Sequence, residues 1–141
     1  MKNNFNLLKS KVRDVKFGDN CTIIEPSNLY ECNLGNNVFV GPFVEITHGV
    51  KIGDNTRISS HSFICNLVTI GKNCFIGHGV VFTNDLFKTG EIINDVKNFF
   101  PTNIENNVII NFKWPQKSLS LYIFEEMKKV KIIECPRDAM Q

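Results

Sequence analysis

The chain has 141 residues, with 43% hydrophobic and 21% charged side chains. That length suits one domain, and the balance excludes a disordered chain. The net charge is +2, and no Lys or Arg run stands out before Lys128–Lys129–Lys131, which argues against nucleic-acid and membrane-surface partners.

Ala occurs once, at Ala139, so the sequence is poor in the best helix former. Met1 to Ser10 lacks the apolar core of a signal peptide, and no run of about 18 apolar residues could span a bilayer. These features predict a cytoplasmic protein. The five cysteines, Cys21, Cys32, Cys65, Cys74 and Cys135, are odd in number and form no CxxC pair. They are expected to be reduced, partly buried thiols, with no base marking one of them as a nucleophile.

A period of six begins at Phe17, Ile23 and Leu29. It slips by one residue around Glu31–Asn33. It then runs through Leu34, Val40, Ile46, Ile52, Ile58, Ile64, Ile70, Ile76 and Phe82. A second series of small or branched residues follows four places later: Val38, Val44, Val50, Thr56, Ser62, Val68, Cys74 and Val80. A helix spaces its apolar residues three or four apart, so this period is not helical. Six residues fit one short strand and one turn. Three such units close a triangular coil of 18 residues, and coils stack at the strand spacing of about 4.8 Å.

An 18-residue period is also visible directly. Gly35-Asn36-Asn37, Gly53-Asp54-Asn55 and Gly71-Lys72-Asn73 are 18 apart, and Gly18-Asp19-Asn20 is one residue out of phase. Gly and Asn tolerate positive φ, so one corner is turned alike in every coil.

The next coil resumes at Ile104-Glu105-Asn106-Asn107-Val108-Ile109. An insertion of about 16 residues within Thr83–Asn103 accounts for the gap and predicts a loop standing off the coils. After Asn111 the pattern stops. Phe112-Lys113-Trp114-Pro115 breaks it, and Ser118–Val130 fits either helix or strand. The expected organisation is an all-β parallel β-helix domain over residues 1–111, with the loop at 83–103, and an irregular tail over 112–141.

The repeat resembles the hexapeptide-repeat acyltransferases. Val38-Phe39-Val40-Gly41-Pro42-Phe43-Val44-Glu45-Ile46 and Phe75-Ile76-Gly77-His78-Gly79-Val80-Val81-Phe82-Thr83-Asn84-Asp85 look like the N-acetyltransferases of nucleotide-linked 3-amino sugars. The resemblance covers roughly residues 12–111. It implies a left-handed β-helix, a homotrimer, acetyl-CoA as acyl donor and a dTDP- or UDP-linked deoxy amino sugar as acceptor. Family members add further coils after the unit at Ile104, beginning with Gly where this chain has Asn111. Those coils supply part of the coenzyme A groove. The tail from Met127 to Gln141, with Arg137-Asp138 and Gln141, looks instead like the opening strand of hydroxymethylglutaryl-CoA lyase-type barrels. A joined or truncated reading frame is one explanation.

The candidate site residues follow from unit phase and from the chemistry of amide formation. His61 and His78 take the fourth and third places of units on one face in consecutive coils, so they meet near one corner. Asn84 occupies the place of His78 one unit later, at the next corner. His78 is the candidate base and Asn84 the candidate amide that orients the amine or donates to the oxyanion. His61, Asp85 and Glu45 are candidate substrate contacts. His48 falls on a different face and is expected at the surface. Histidine spacings of 13 and 17 lack the close pair of zinc-binding relatives of this fold, so no metal is expected. Two other functions fit the same residues: O-acetylation on the same scaffold, and a catalytically impaired coil stack that only trimerises.

Overall fold

The structure, a computed structural model, describes residues 12–84 and 98–111. Within them the chain runs β1 (Lys16–Phe17), β2 (Thr22–Ile23), β3 (Asn28–Leu29), β4 (Asn33–Leu34), β5 (Phe39–Val40), β6 (Glu45–Ile46), β7 (Lys51–Ile52), β8 (Arg57–Ile58), β9 (Phe63–Ile64), β10 (Val68–Ile70) and β11 (Phe75–Ile76). After a bridge at Val81 to Phe63 it continues in β12 (Thr102–Ile104) and β13 (Ile109–Ile110).

All strand pairs are parallel, and each strand pairs with its equivalent in the next coil, three strands on through β11 and two on for β10–β12 and β11–β13, where the Val81 bridge takes the place of a strand. Side one is β1-β4-β7-β10-β12, side two is β2-β5-β8-β11-β13 and side three is β3-β6-β9. This is a left-handed parallel β-helix of hexapeptide repeats: the period of six predicts the coils, and the family resemblance their hand.

The register explains both irregularities of the sequence. Lys16 pairs with Asn33 and Asn28 with Glu45, whereas Asn33 pairs with Lys51 and Phe39 with Arg57. The first two steps are each shorter by a single position than the last two. The turn at Tyr30–Cys32, between β3 and β4, therefore lacks one residue. Gly18-Asp19-Asn20 lies in the same corner as the other triplets despite its offset numbering. Val68 pairs with Thr102 and Phe75 with Ile109, each 34 positions on, so the chain resumes in register after the insertion.

The core is one column of small and branched side chains. Both apolar series point inward: Ile46, Ile58, Ile64 and Ile76 are fully buried, and Val38, Val44, Val50 and Val68 lie beside them. Thr56 and Ser62 are buried members of the second series, and each satisfies its hydroxyl locally. Thr56 Oγ1 donates to Gly71 O at 2.9 Å, and Ser62 Oγ bonds Ser59 O and Gly77 O at 2.9 Å. The core thins toward the first coil, where Phe17 is 43% exposed rather than enclosed.

The first corner, between sides one and two, carries the Gly-Asx-Asn triplets. Asn20, Asn37, Asn55, Asn73 and Asn107 all have φ between 55° and 61°. Their side chains form a ladder along the stack: Asn37 Nδ2 donates to Asn55 Oδ1 at 3.0 Å, Asn55 to Asn73 at 3.2 Å, and Asn73 to Asn107 at 3.2 Å. A second ladder runs beside it. Asn36 N donates to Asp54 Oδ1 at 2.9 Å, and Lys72 N to Asn106 Oδ1 at 2.7 Å. Lys72 Nζ lies 2.7 Å from Asp54 Oδ2, and that contact with the Asn36 amide holds the Asp54 carboxyl below its ordinary range. The triplet glycines allow coils to touch here. A Cβ on Gly53 would sit 2.6 Å from the Gly71 carbonyl carbon.

Two substitutions separate these contributions. Asn55→Gly keeps the backbone conformation and removes the ladder bonds, and about 1 kcal/mol of stability is expected to be lost. Asn55→Ala removes the same bonds and, unlike Gly, keeps a Cβ on a left-handed residue without the short polar side chain that lets Asn adopt it, costing about 1–2 kcal/mol more than Asn55→Gly. Urea unfolding should rank the proteins wild type, Asn55→Gly, Asn55→Ala. Equal midpoints would show that the corner is held by something else.

Candidate functional site

The two remaining corners carry the candidate residues. The second corner joins sides two and three. Its turns are Gly41-Pro42-Phe43, Ser59-Ser60-His61 and Gly77-His78-Gly79 in consecutive coils. The last residue of each turn is left-handed: Phe43 at 59°, His61 at 62° and Gly79 at 68°. Backbone bonds pin the turns to one another, His61 N to Pro42 O at 3.2 Å and Gly79 N to Ser60 O at 3.0 Å.

That stacking fixes the neighbours of both histidines. The His61 ring stacks on Phe43, with centroids 4.9 Å apart and planes 26° apart. Ser60, one place earlier, lies beneath His78, and its Oγ is 2.8 Å from His78 Nδ1. His61 and His78 therefore share one corner, as unit phase predicts, and each has a different partner.

The third corner joins sides three and one. His48, Asn66 and Asn84 follow one another there, each a full coil after the last. His48 is exposed, yet it is not alone: its Nδ1 is 2.6 Å from Glu31 Oε2. Thr47 Oγ1 donates to Asn66 Oδ1 at 2.5 Å. Asn84 Nδ2 donates to Asn66 O at 3.3 Å, and Asn84 O accepts from Phe100 N at 3.0 Å. Asn84 thus closes the base of the insertion, where the chain leaves the stack and returns.

His78 and Asn84 stand at opposite ends of one side. They occupy different corners, and no hydrogen bond joins them among the described residues. Glu45 lies on side three, two coils below Val81. It accepts from Asn28 Nδ2 at 2.9 Å. It also lines a cleft of about 420 Å³ with Glu25, Asn28 and Phe43. Asp85 and the tail lie outside the described residues.

Two partners escaped the sequence, Glu31 for His48 and Ser60 for His78. Both were within reach of the register. Glu31 sits one coil before His48 across the shortened turn, and Ser60 sits one full coil before His78. Among the described residues, no three His, Cys, Asp or Glu side chains converge on one point. Burial pushes the Cys32 thiol up to about 11 and raises Cys65 as well. These are core thiols, not nucleophiles.

Residues 31–66 match the family described as bacterial transferase hexapeptide, six repeats. The bifunctional protein GlmU of Clostridioides difficile strain 630 is 36% identical over 102 residues, which are 72% of this chain and 20% of that protein. GlmU of Clostridium beijerinckii is 38% identical over 64 residues, 45% of this chain and 14% of that protein. The acyl-[acyl-carrier-protein]–UDP-N-acetylglucosamine O-acyltransferase of Brucella anthropi is 42% identical over 52 residues, 36% of this chain and 19% of that enzyme. The chain spans about a fifth or less of the length of these relatives. The similarity to hexapeptide-repeat transferases lies in the coils, over residues 31–66 for the family as a whole.

The raised thiol gives a direct check. A Cys whose folded pKa lies above its unfolded value stabilises the fold fully below the unfolded value of about 9, and this is lost as pH rises toward 11. Cys32 is therefore expected to resist alkylation at pH 8 in the folded protein and to react in urea. Peptide mapping after alkylation reads this, and rapid labelling of Cys32 in the native state would contradict its burial.

Proposed function

We propose that this chain, built on hexapeptide-transferase coils, belongs to an acyltransferase that acetylates the 3-amino group of a dTDP- or UDP-linked deoxy amino sugar, with acetyl-CoA as donor. The observation that carries the proposal is the second corner. It presents an exposed imidazole, His78, held at one nitrogen, on repeats similar to those of a UDP-sugar acyltransferase. The resemblance of Gly77–Asp85 to 3-amino-sugar N-acetyltransferases supplies the acceptor. Use of acetyl-CoA goes with a cytoplasmic setting, and among the described residues no helix is long and apolar enough to cross a membrane.

The chemistry is attack of the sugar amine on the thioester carbon. An N–C bond forms, the C–S bond breaks, and the amine proton passes to His78 Nε2 and then to the departing thiolate. The products are an amide and coenzyme A thiol. The amine must be unprotonated to attack, and imidazole is suited to accept the proton near neutral pH. Asn84 then orients the amine or donates to the oxyanion. Glu45, His61 and Asp85 are the proposed substrate contacts.

The placement of His78 and Asn84 at different corners sets a condition on the assembly. In the proposed homotrimer the site combines the second corner of one subunit with the third corner of its neighbour. A subunit lacking His78 and a subunit lacking Asn84 then complement each other. Every mixed trimer retains one site with both residues.

A second acceptor chemistry is favoured by the Brucella relative, whose name describes an O-acyltransferase. The product decides between the two. An N-acetyl amide resists hydroxylamine, and an O-acetyl ester does not.

Acetyl-CoA with UDP- or dTDP-3-amino sugars should release free thiol, and His78→Ala should lower kcat by about 100-fold or more. A folded trimer that releases no thiol would overturn the enzyme reading in favour of a module that only assembles. Mixing and reassembling equal amounts of His78→Ala and Asn84→Ala subunits should restore about a quarter of wild-type activity, as random assembly of cyclic trimers requires. No recovery would place both residues in a single chain's site or remove them from it.

A further inference from the structure

We infer that Ser60 is a positioning residue for His78: it accepts the Nδ1 proton and so keeps Nε2 bare as the base. The inference rests on the role proposed for His78 and names what sets its tautomer. Ser60 and His78 occupy the same place of the second corner in consecutive coils, and the Ser60 Oγ to His78 Nδ1 distance is 2.8 Å. The corner is rigid beneath them. Ser59 N donates to Ile76 O at 2.8 Å, Gly79 N to Ser60 O at 3.0 Å, and the buried Ser62 hydroxyl ties Ser59 to Gly77. A serine side chain has one torsion to its oxygen, so little freedom is lost in holding the contact.

A neutral imidazole carries its proton on one nitrogen, and the bond made by that nitrogen decides the character of the other. If the serine accepts at Nδ1, Nε2 is the free lone pair. Nε2 has no hydrogen-bond partner among the described residues. The other features of the corner keep its surroundings clear. His61 is occupied by Phe43, and a Cβ placed on Gly79 would meet nothing within 4 Å. Open space therefore lies at Gly79, next to His78 in the turn.

The partner's neutrality also matters. Glu31 faces His48 with a carboxylate at 2.6 Å. Ser60 orients the ring without adding charge. The proton taken from the amine is then free to leave for the thiolate.

Nitrogen-15 NMR of the imidazole, at a pH where His78 is neutral, reads the tautomer directly and needs no substrate. The expected result is an Nδ1–H ring in the wild type and a switch to Nε2–H in Ser60→Ala. An Nε2–H wild type, or an unchanged tautomer in the variant, would overturn the inference. Kinetics with acetyl-CoA and a nucleotide-linked 3-amino sugar give the second arm. Ser60→Ala should lose about tenfold or more in kcat with KM unchanged, and Ser60→Thr should keep most of it. An unchanged kcat in Ser60→Ala beside a collapsed kcat in His78→Gln would reject Ser60 alone. Full activity in His78→Gln would reject the base role of His78, and the NMR result still decides whether Ser60 holds the ring.

Discussion

The coil-to-coil hydrogen bond at the corners is the constraint on which this molecule depends. Strands of two or three residues cannot hold a sheet by length. The turns between them must repeat with the same shape so that each backbone group finds its partner one coil away. Left-handed residues at fixed places make that possible, and the asparagine ladder adds side-chain bonds along the same axis. The inward column contributes burial of about 1.5–3 kcal/mol per large aliphatic side chain. It can do so only while the corners keep every coil in phase.

The same constraint sets where chemistry can occur. Inward places are filled by the core, and flat sides expose short strands with little relief. Functional groups therefore gather at corners, where a residue meets its equivalents from adjacent coils. Ser60 under His78, Phe43 under His61 and Glu31 under His48 are three cases of one rule. In each of these cases the side chain's partner is a residue one coil earlier, not a neighbour in sequence. The insertion obeys the rule as well. It follows Asn84, and β12 still pairs with β10 in phase.

Much of this was legible in the sequence. The nested periods of six and 18 are direct images of the strand and the coil, so the inward residues from Leu34 to Phe82 and the corner triplets could be read from spacing alone. The slip at Glu31–Asn33 was legible for the same reason. The partners of His48 and His78 were not seen, because a hydroxyl or a carboxylate on a turn has no periodic signature; only the register converts its position into a contact. Phe17 shows the converse failure. It keeps the period, but it lies in a coil where few described residues cover it, so its spacing does not decide its burial.

In the proposed reaction, substrate chemistry takes place at the second corner, with His78 nearest the reacting nitrogen. A crystal structure of the protein with coenzyme A and a nucleotide-linked 3-amino sugar tests it most directly. The sugar amine is expected within about 3.2 Å of His78 Nε2, with His78 Nδ1 still on Ser60. An amine seated against the Glu31–His48 pair, or in the cleft lined by Glu25 and Glu45, would contradict it.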